Sequence, residues 1–120
     1  MNTLEVANTI KAQLFAGGKM KVWSWGAKEW TCGTTEKKEP YLIFRVRGLK
    51  FKGLVKVILN SMDTYDVHFI KMSKGQQVVK NEISDVYFDE LTEKIDLVVE
   101  YTGDDKSYKE ALDKMAKKRL

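Results

Sequence analysis

Between residues 41 and 72 apolar and polar side chains alternate with a period of two, broken only by short turn-forming segments. No other feature constrains the fold as strongly, because successive side chains of a strand point to opposite faces of a sheet. The strands predicted are Tyr41–Arg47, Leu54–Asn60 and Thr64–Met72. The breaks carry turn chemistry: Gly33 through Pro40, Gly48 to Gly53, Asn60-Ser61-Met62-Asp63, and Ser73-Lys74-Gly75. Connections this short join antiparallel neighbours into a meander. Gln76–Lys80 adds one further short strand, and a period of two from Lys19 to Trp25 reads as the first strand of the sheet.

Helices are predicted on either side. Thr3 to Phe15 has Thr3 as N-cap and Leu4, Ala7, Ile10 and Leu14 at helical spacing, and Gly17-Gly18 is read as its stop. A second helical region starts near Ser84 or Asp85, either of which can cap it. It places Tyr87, Leu91, Lys94/Ile95, Val98 and Thr102 on one stripe and Gly103 at its end. Ser107-Tyr108-Lys109-Glu110 is a capping box opening a short terminal helix with the apolar stripe Tyr108, Ala111, Leu112 and Met115. The expectation is an α+β fold: an antiparallel meander sheet of about five strands, with an N-terminal helix and C-terminal helices packed mainly on one face. Residues 1–103 form a single domain in this reading, and residues 104–120 a Lys-rich helix appended to it.

Sorting the strands by parity separates two faces. Leu42, Phe44, Val46, Val55, Val57, Leu59, Tyr65, Val67 and Phe69 form an almost wholly apolar set, the core face. Ile43, Arg45, Arg47, Leu54, Lys56, Ile58, Asp66, His68 and Ile70 form the other, where aliphatics stand beside charges. All three tryptophans lie within residues 23 to 30. The same alternation puts Trp23 and Trp25 on the mixed face, near Arg45 and Arg47, while Trp30, past Gly26, is read as a structural anchor. A two-layer domain leaves that mixed face in water as a patch of aliphatic, aromatic and basic side chains.

Three readings of the patch stand side by side. It is covered by a loop or the terminal helix; or it is a protein interface, a homodimer through the sheet face included, since Trp and Arg are favoured anchors; or it binds nucleic acid. For the last, Lys19, Lys21, Trp23, Trp25, Arg45, Arg47 and Lys56 are the candidate contacts, with Lys50 and Lys52 as further phosphate partners. The formal charge of +4 permits this, but balancing acids dilute the field and no RRM, KH or zinc-finger signature is present.

Catalytic chemistry finds little support. His68, the only histidine, shares a face with Asp66, but no serine or cysteine is placed near it by a recognisable motif. One His and one Cys give too few ligands for a usual zinc site, and Cys32, beside Trp30, is read as a small buried group. Gly17-Gly18-Lys19 lacks the preceding strand, spacing and Ser/Thr of a phosphate loop. The chain is therefore expected not to be an enzyme, with no catalytic residue, cofactor, metal or small-molecule substrate. A leader segment, a bilayer-spanning run and an Asn-x-Ser/Thr acceptor are all missing, and one cysteine allows no internal disulfide, so the expected setting is cytoplasmic without membrane contact.

One longer pattern resembles a known group. Gly17-Gly18, then Gly26-Ala27-Lys28-x-Trp30, then Val57-x-Leu59-Asn60-x-x-Asp63-Thr64-Tyr65-Asp66-Val67-x-Phe69, then Val86-Tyr87-x-Asp89-x-Leu91 is similar to small hypothetical proteins of phages and bacterial mobile elements. The resemblance spans about residues 14 to 103, and its most specific piece runs from Leu59 to Phe69. Two departures stand out: the group's first aromatic pair is not tryptophan, and its chains end soon after the position of Gly103. The group has no assigned function and no known catalytic residues, so the resemblance implies only a context, that of an accessory protein.

Overall fold

The computed structural model describes residues 2–100, and the expected terminal helix from Ser107, with Thr102 and Gly103, lies outside them. The described chain runs α1 (Thr3–Ser24), β1 (Lys28–Thr34), β2 (Pro40–Arg47), β3 (Lys52–Leu59), β4 (Tyr65–Ser73), β5 (Gln76–Val86) and α2 (Leu91–Val99). All five strands form one sheet in sequence order, each antiparallel to the next. The fold is α+β, as the alternation and short turns require.

Register confirms the core face. Leu42 pairs with Val57 and Val57 with Val67; Phe44 pairs with Val55 and Val55 with Phe69. These side chains are buried together with Val6, Ala7, Ile10 and Leu14 of α1 and Leu91, Ile95 and Val99 of α2, so both helices cover one side of the sheet. Leu59 is only partly buried against the same cluster.

The first helix differs from expectation at both ends. Its N-cap is not Thr3 but the preceding residue, Asn2, and the Asn2 side-chain Oδ1 accepts the Glu5 N–H at 2.8 Å. At the other end the helix passes Gly17-Gly18, breaking helical geometry only at Gly18, and continues to Ser24. The residues from Lys19 to Trp25 are therefore not a strand. Val22 and Trp25, three apart and both fully buried, share one helical face, and a stretch of seven residues is too short for alternation to exclude that period. The double glycine serves packing instead. A Cβ on Gly17 would sit 2.6 Å from the Thr92 hydroxyl, and that hydroxyl donates to the Leu14 carbonyl at 2.7 Å, so α2 rests directly on the α1 backbone. The actual stop is Gly26, at φ +64°, whose N–H closes on the Trp23 carbonyl at 3.0 Å.

Beyond this stop the first strand is displaced to Lys28–Thr34, and a bulge between Lys28 and Thr31 turns Trp30 inward. Its ring stacks on Phe44 (centroids 4.5 Å apart) and leans on Phe15 (6.0 Å), the anchoring role expected of it. Cys32, by contrast, is exposed.

The last strand is longer than expected, reaching Val86, and so Ser84 and Asp85 do not cap a helix. Asp85 instead donates its N–H to the Asp66 carboxylate (3.3 Å) and accepts from the Thr64 hydroxyl (3.4 Å), tying β5 to the β3–β4 turn. Helix α2 then starts at Leu91, leaving Tyr87 exposed before it. Its last carbonyls are satisfied by the β2–β3 turn: Val99 accepts from the Lys50 and Phe51 N–H groups at 2.9 and 3.2 Å, and Leu97 from Lys50 Nζ at 2.9 Å. Among the described residues no helix is long and apolar enough to cross a membrane.

Candidate anion-binding site on the outer sheet face

The side of the sheet opposite the helices shows its composition by rows. One row is Thr31, Ile43, Lys56, His68 and Glu82; the next, toward the β2–β3 turn, is Arg45, Leu54, Ile70 and Val79; Arg47 and Lys52 close that end. Ile58 and Ile70 are buried even here, at 5% and 2% exposure. Ile43 and Leu54 are half-buried and Val79 is exposed, so the middle of the face is aliphatic.

The charged groups gather at the two ends. At the β2–β3 end an open groove of about 430 Å³ is lined by Lys28, Arg45, Arg47, Lys52 and Lys71, with Glu29 the one carboxylate. Glu29 accepts from Arg45 Nε at 2.7 Å. Both side chains are exposed, and a pair of this kind contributes at most about 1 kcal/mol. It leaves the other cations of the groove facing solvent without a carboxylate among the groove-lining residues. Lys71 borders the groove from the end of β4, but its parity is that of the core face and its Nζ lies 5.7 Å from the centroid of the Phe51 ring, part of the core cluster.

At the opposite end a second groove, of about 660 Å³, is lined by Glu36, Glu39, Asp66 and Glu82 with Lys37, Lys56 and His68. His68 Nε2 lies 3.4 Å from Glu82, and Lys56 Nζ sits 4.3 Å over the Tyr41 ring. Asp66 is committed to the turn, accepting from Asn60 Nδ2 at 3.1 Å as well as from the Asp85 N–H. The imidazole therefore stands beside Glu82, while Asp66, which shares its face, is held by Asn60 and Asp85. Among the described residues no group of three His, Cys, Asp or Glu side chains is placed to hold a metal ion.

The seven candidate contacts consequently separate. Arg45 and Arg47 stand together in the basic groove, whereas Lys56, on the same face, belongs to the acidic one. Lys19 and Lys21 lie on the second half of α1, where Lys19 Nζ is 4.5 Å from the Trp23 ring centroid. Trp23 is an exposed helical residue. Trp25 is fully buried and no contact residue at all: its indole N–H donates to Asp96 Oδ1 at 2.8 Å and its ring stacks on Phe44. The link to the site is through backbone, since the Trp25 carbonyl accepts the Arg47 N–H at 2.6 Å and brings the end of α1 to the basic end of the sheet. Lys28 was missed because it lies beyond the stretch read as the first strand.

A further titratable cluster lies between the helices. Burial raises the Asp96 carboxyl above its ordinary range, opposed by the indole N–H and by Lys21. Glu100, 8% exposed, is pushed up to about 6 by burial, opposed by the Leu49 backbone N–H and reinforced by Asp96. Compared with known protein families, curated proteins and solved structures, the chain finds no match.

Proposed function

We propose that this chain is a small non-enzymatic binding protein that takes the phosphate backbone of a nucleic acid on the basic end of its outer sheet face. The observation that carries the reading is the groove at the β2–β3 end, where Lys28, Arg45, Arg47 and Lys52, from three strands, line one groove with a single carboxylate that is already engaged. Clustered guanidinium and ammonium groups on a sheet bind phosphates and gain affinity from counterion release. Trp23, exposed on α1 and flanked by Lys19, supplies an aromatic surface on the element whose end abuts Arg47. An accessory role in a phage or mobile element, acting in the cytoplasm, belongs to the same proposal and rests on the resemblance of residues 14 to 103.

The test is fluorescence anisotropy of labelled single- and double-stranded oligonucleotides with the full chain. With about four phosphates neutralised, affinity for a single strand should fall roughly 50-fold between about 50 and 200 mM salt. Absence of binding at low salt, or binding indifferent to salt, overturns the proposal.

A further inference from the structure

The two grooves of the outer face are opposite in charge. The one at the β2–β3 end sets Lys28, Arg45, Arg47 and Lys52 against Glu29, a net of +3 with Lys71, whose ammonium stands over the core-side Phe51 ring, left out of the count. The one at the other end sets Glu36, Glu39, Asp66 and Glu82 against Lys37 and Lys56, a net of −2 with His68 left out of the count. Between them lie the aliphatic side chains of Ile43, Leu54 and Val79. A face that is basic at one end, apolar in the middle and acidic at the other is complementary to itself. Turning a second copy about a two-fold axis lying in the plane of the face and across the strands puts each basic end over an acidic end. The same rotation brings the two apolar middles together.

We propose that the outer sheet face is the interface of an isologous homodimer in which each basic groove meets the partner copy's acidic groove. Five strands about 4.8 Å apart and seven to eleven residues long span roughly 550 Å² in projection. Side-chain relief adds to the accessible area, which brings the face within reach of the roughly 800 Å² per partner of a standard interface. The inference uses the surface assigned to nucleic acid above and makes the two occupants competitors. The partner's carboxylates fill the groove when no polyanion is present, and a polyanion opens the dimer.

Sedimentation equilibrium of the full chain with charge-reversed variants tests this. Glu36, Glu82, Arg47 and Lys52 are all exposed, so reversing them leaves the core intact, which far-UV circular dichroism checks. Wild type should dimerise at low salt and dissociate as salt or a single-stranded oligonucleotide is added. The double variants Glu36→Lys/Glu82→Lys and Arg47→Glu/Lys52→Glu should each be monomeric alone, because like charges then meet. An equimolar mixture should form a 1:1 heterodimer, because both contacts are restored with one reversed in sign. A wild type that stays monomeric at low salt overturns the dimer, as does a single variant that dimerises like wild type or a mixture that does not associate. Failure of the two readings is distinguishable. A monomer that binds oligonucleotide removes only the dimer, and a dimer indifferent to oligonucleotide removes only nucleic-acid binding. Glu36→Lys/Glu82→Lys, which leaves the basic groove untouched, should bind oligonucleotide at least as tightly as wild type.

Discussion

Replacing Trp25 by phenylalanine asks whether the aromatic segment belongs to the core or to a contact surface. Trp25 is fully buried, and its indole N–H donates at 2.8 Å to Asp96, itself only 2% exposed. Phenylalanine keeps an aromatic ring against Phe44 but offers no donor. A hydrogen bond to a buried carboxylate is worth about 1.5–3 kcal/mol, and the smaller ring leaves unfilled volume worth about 1 kcal/mol more. The substitution should therefore cost about 2–4 kcal/mol, a large part of a small domain's total stability. Urea unfolding followed by far-UV circular dichroism measures this without relying on the fluorescence of the remaining tryptophans. A double-mutant cycle with Asp96→Ala isolates the pair, with an expected coupling of about 1.5–3 kcal/mol. If Trp25→Phe lies within about 0.5 kcal/mol of wild type, as a surface position would, the assignment of Trp25 to the α1–α2 interface is wrong.

Two further perturbations probe the same interface. Gly17→Ala places a Cβ 2.6 Å from the Thr92 hydroxyl that donates to Leu14. It should destabilise by about 1–2 kcal/mol although alanine is the better helix former. In a Thr92→Ala background the cost should fall to less than half, and an equal cost in both backgrounds, read from urea midpoints, contradicts the contact. Glu100 holds its proton more tightly folded, near 6, than the ordinary 4.5. Stability from this group is therefore fully present below about pH 4.5 and is lost as pH rises through about 6, a difference of roughly 2 kcal/mol. Glu100→Gln should be the more stable protein at about pH 7 and should lack this component of the pH profile; profiles that run parallel refute it.

Much of the fold was legible because β2, β3 and β4 have one face in the core, so their alternation reports directly on burial. Phe44, Val55 and Phe69 announce both the strands and the register that joins them. What escaped depends on partners distant in sequence. Nothing local distinguishes a glycine pair that ends a helix from one that lets a second helix approach; Thr92, some seventy-five residues on, decides it. Gly26, at φ +64°, was the better stop signal. Asp85 reads locally as a cap, yet its hydrogen bonds go to Thr64 and Asp66. For the site, parity alone placed Arg45 and Arg47 together. Lys28 joins them through a bulged first strand, which period-two reasoning does not reach. Trp25 was misplaced because the end of a helix was read as strand alternation; it stacks on Phe44, as does Trp30, the residue read as an anchor.

The central claim is that the basic end of the outer sheet face holds a polyanion. Its most direct test is the anisotropy titration of a labelled single-stranded oligonucleotide, comparing wild type with Arg47→Glu/Lys52→Glu across a range of salt. Two reversals take the groove from a net of +3, with Lys71 set aside, to −1. The account predicts at least a 10-fold loss of affinity at low salt and a shallower dependence on salt for the variant. Equal affinity and equal salt slope for the two proteins would contradict it.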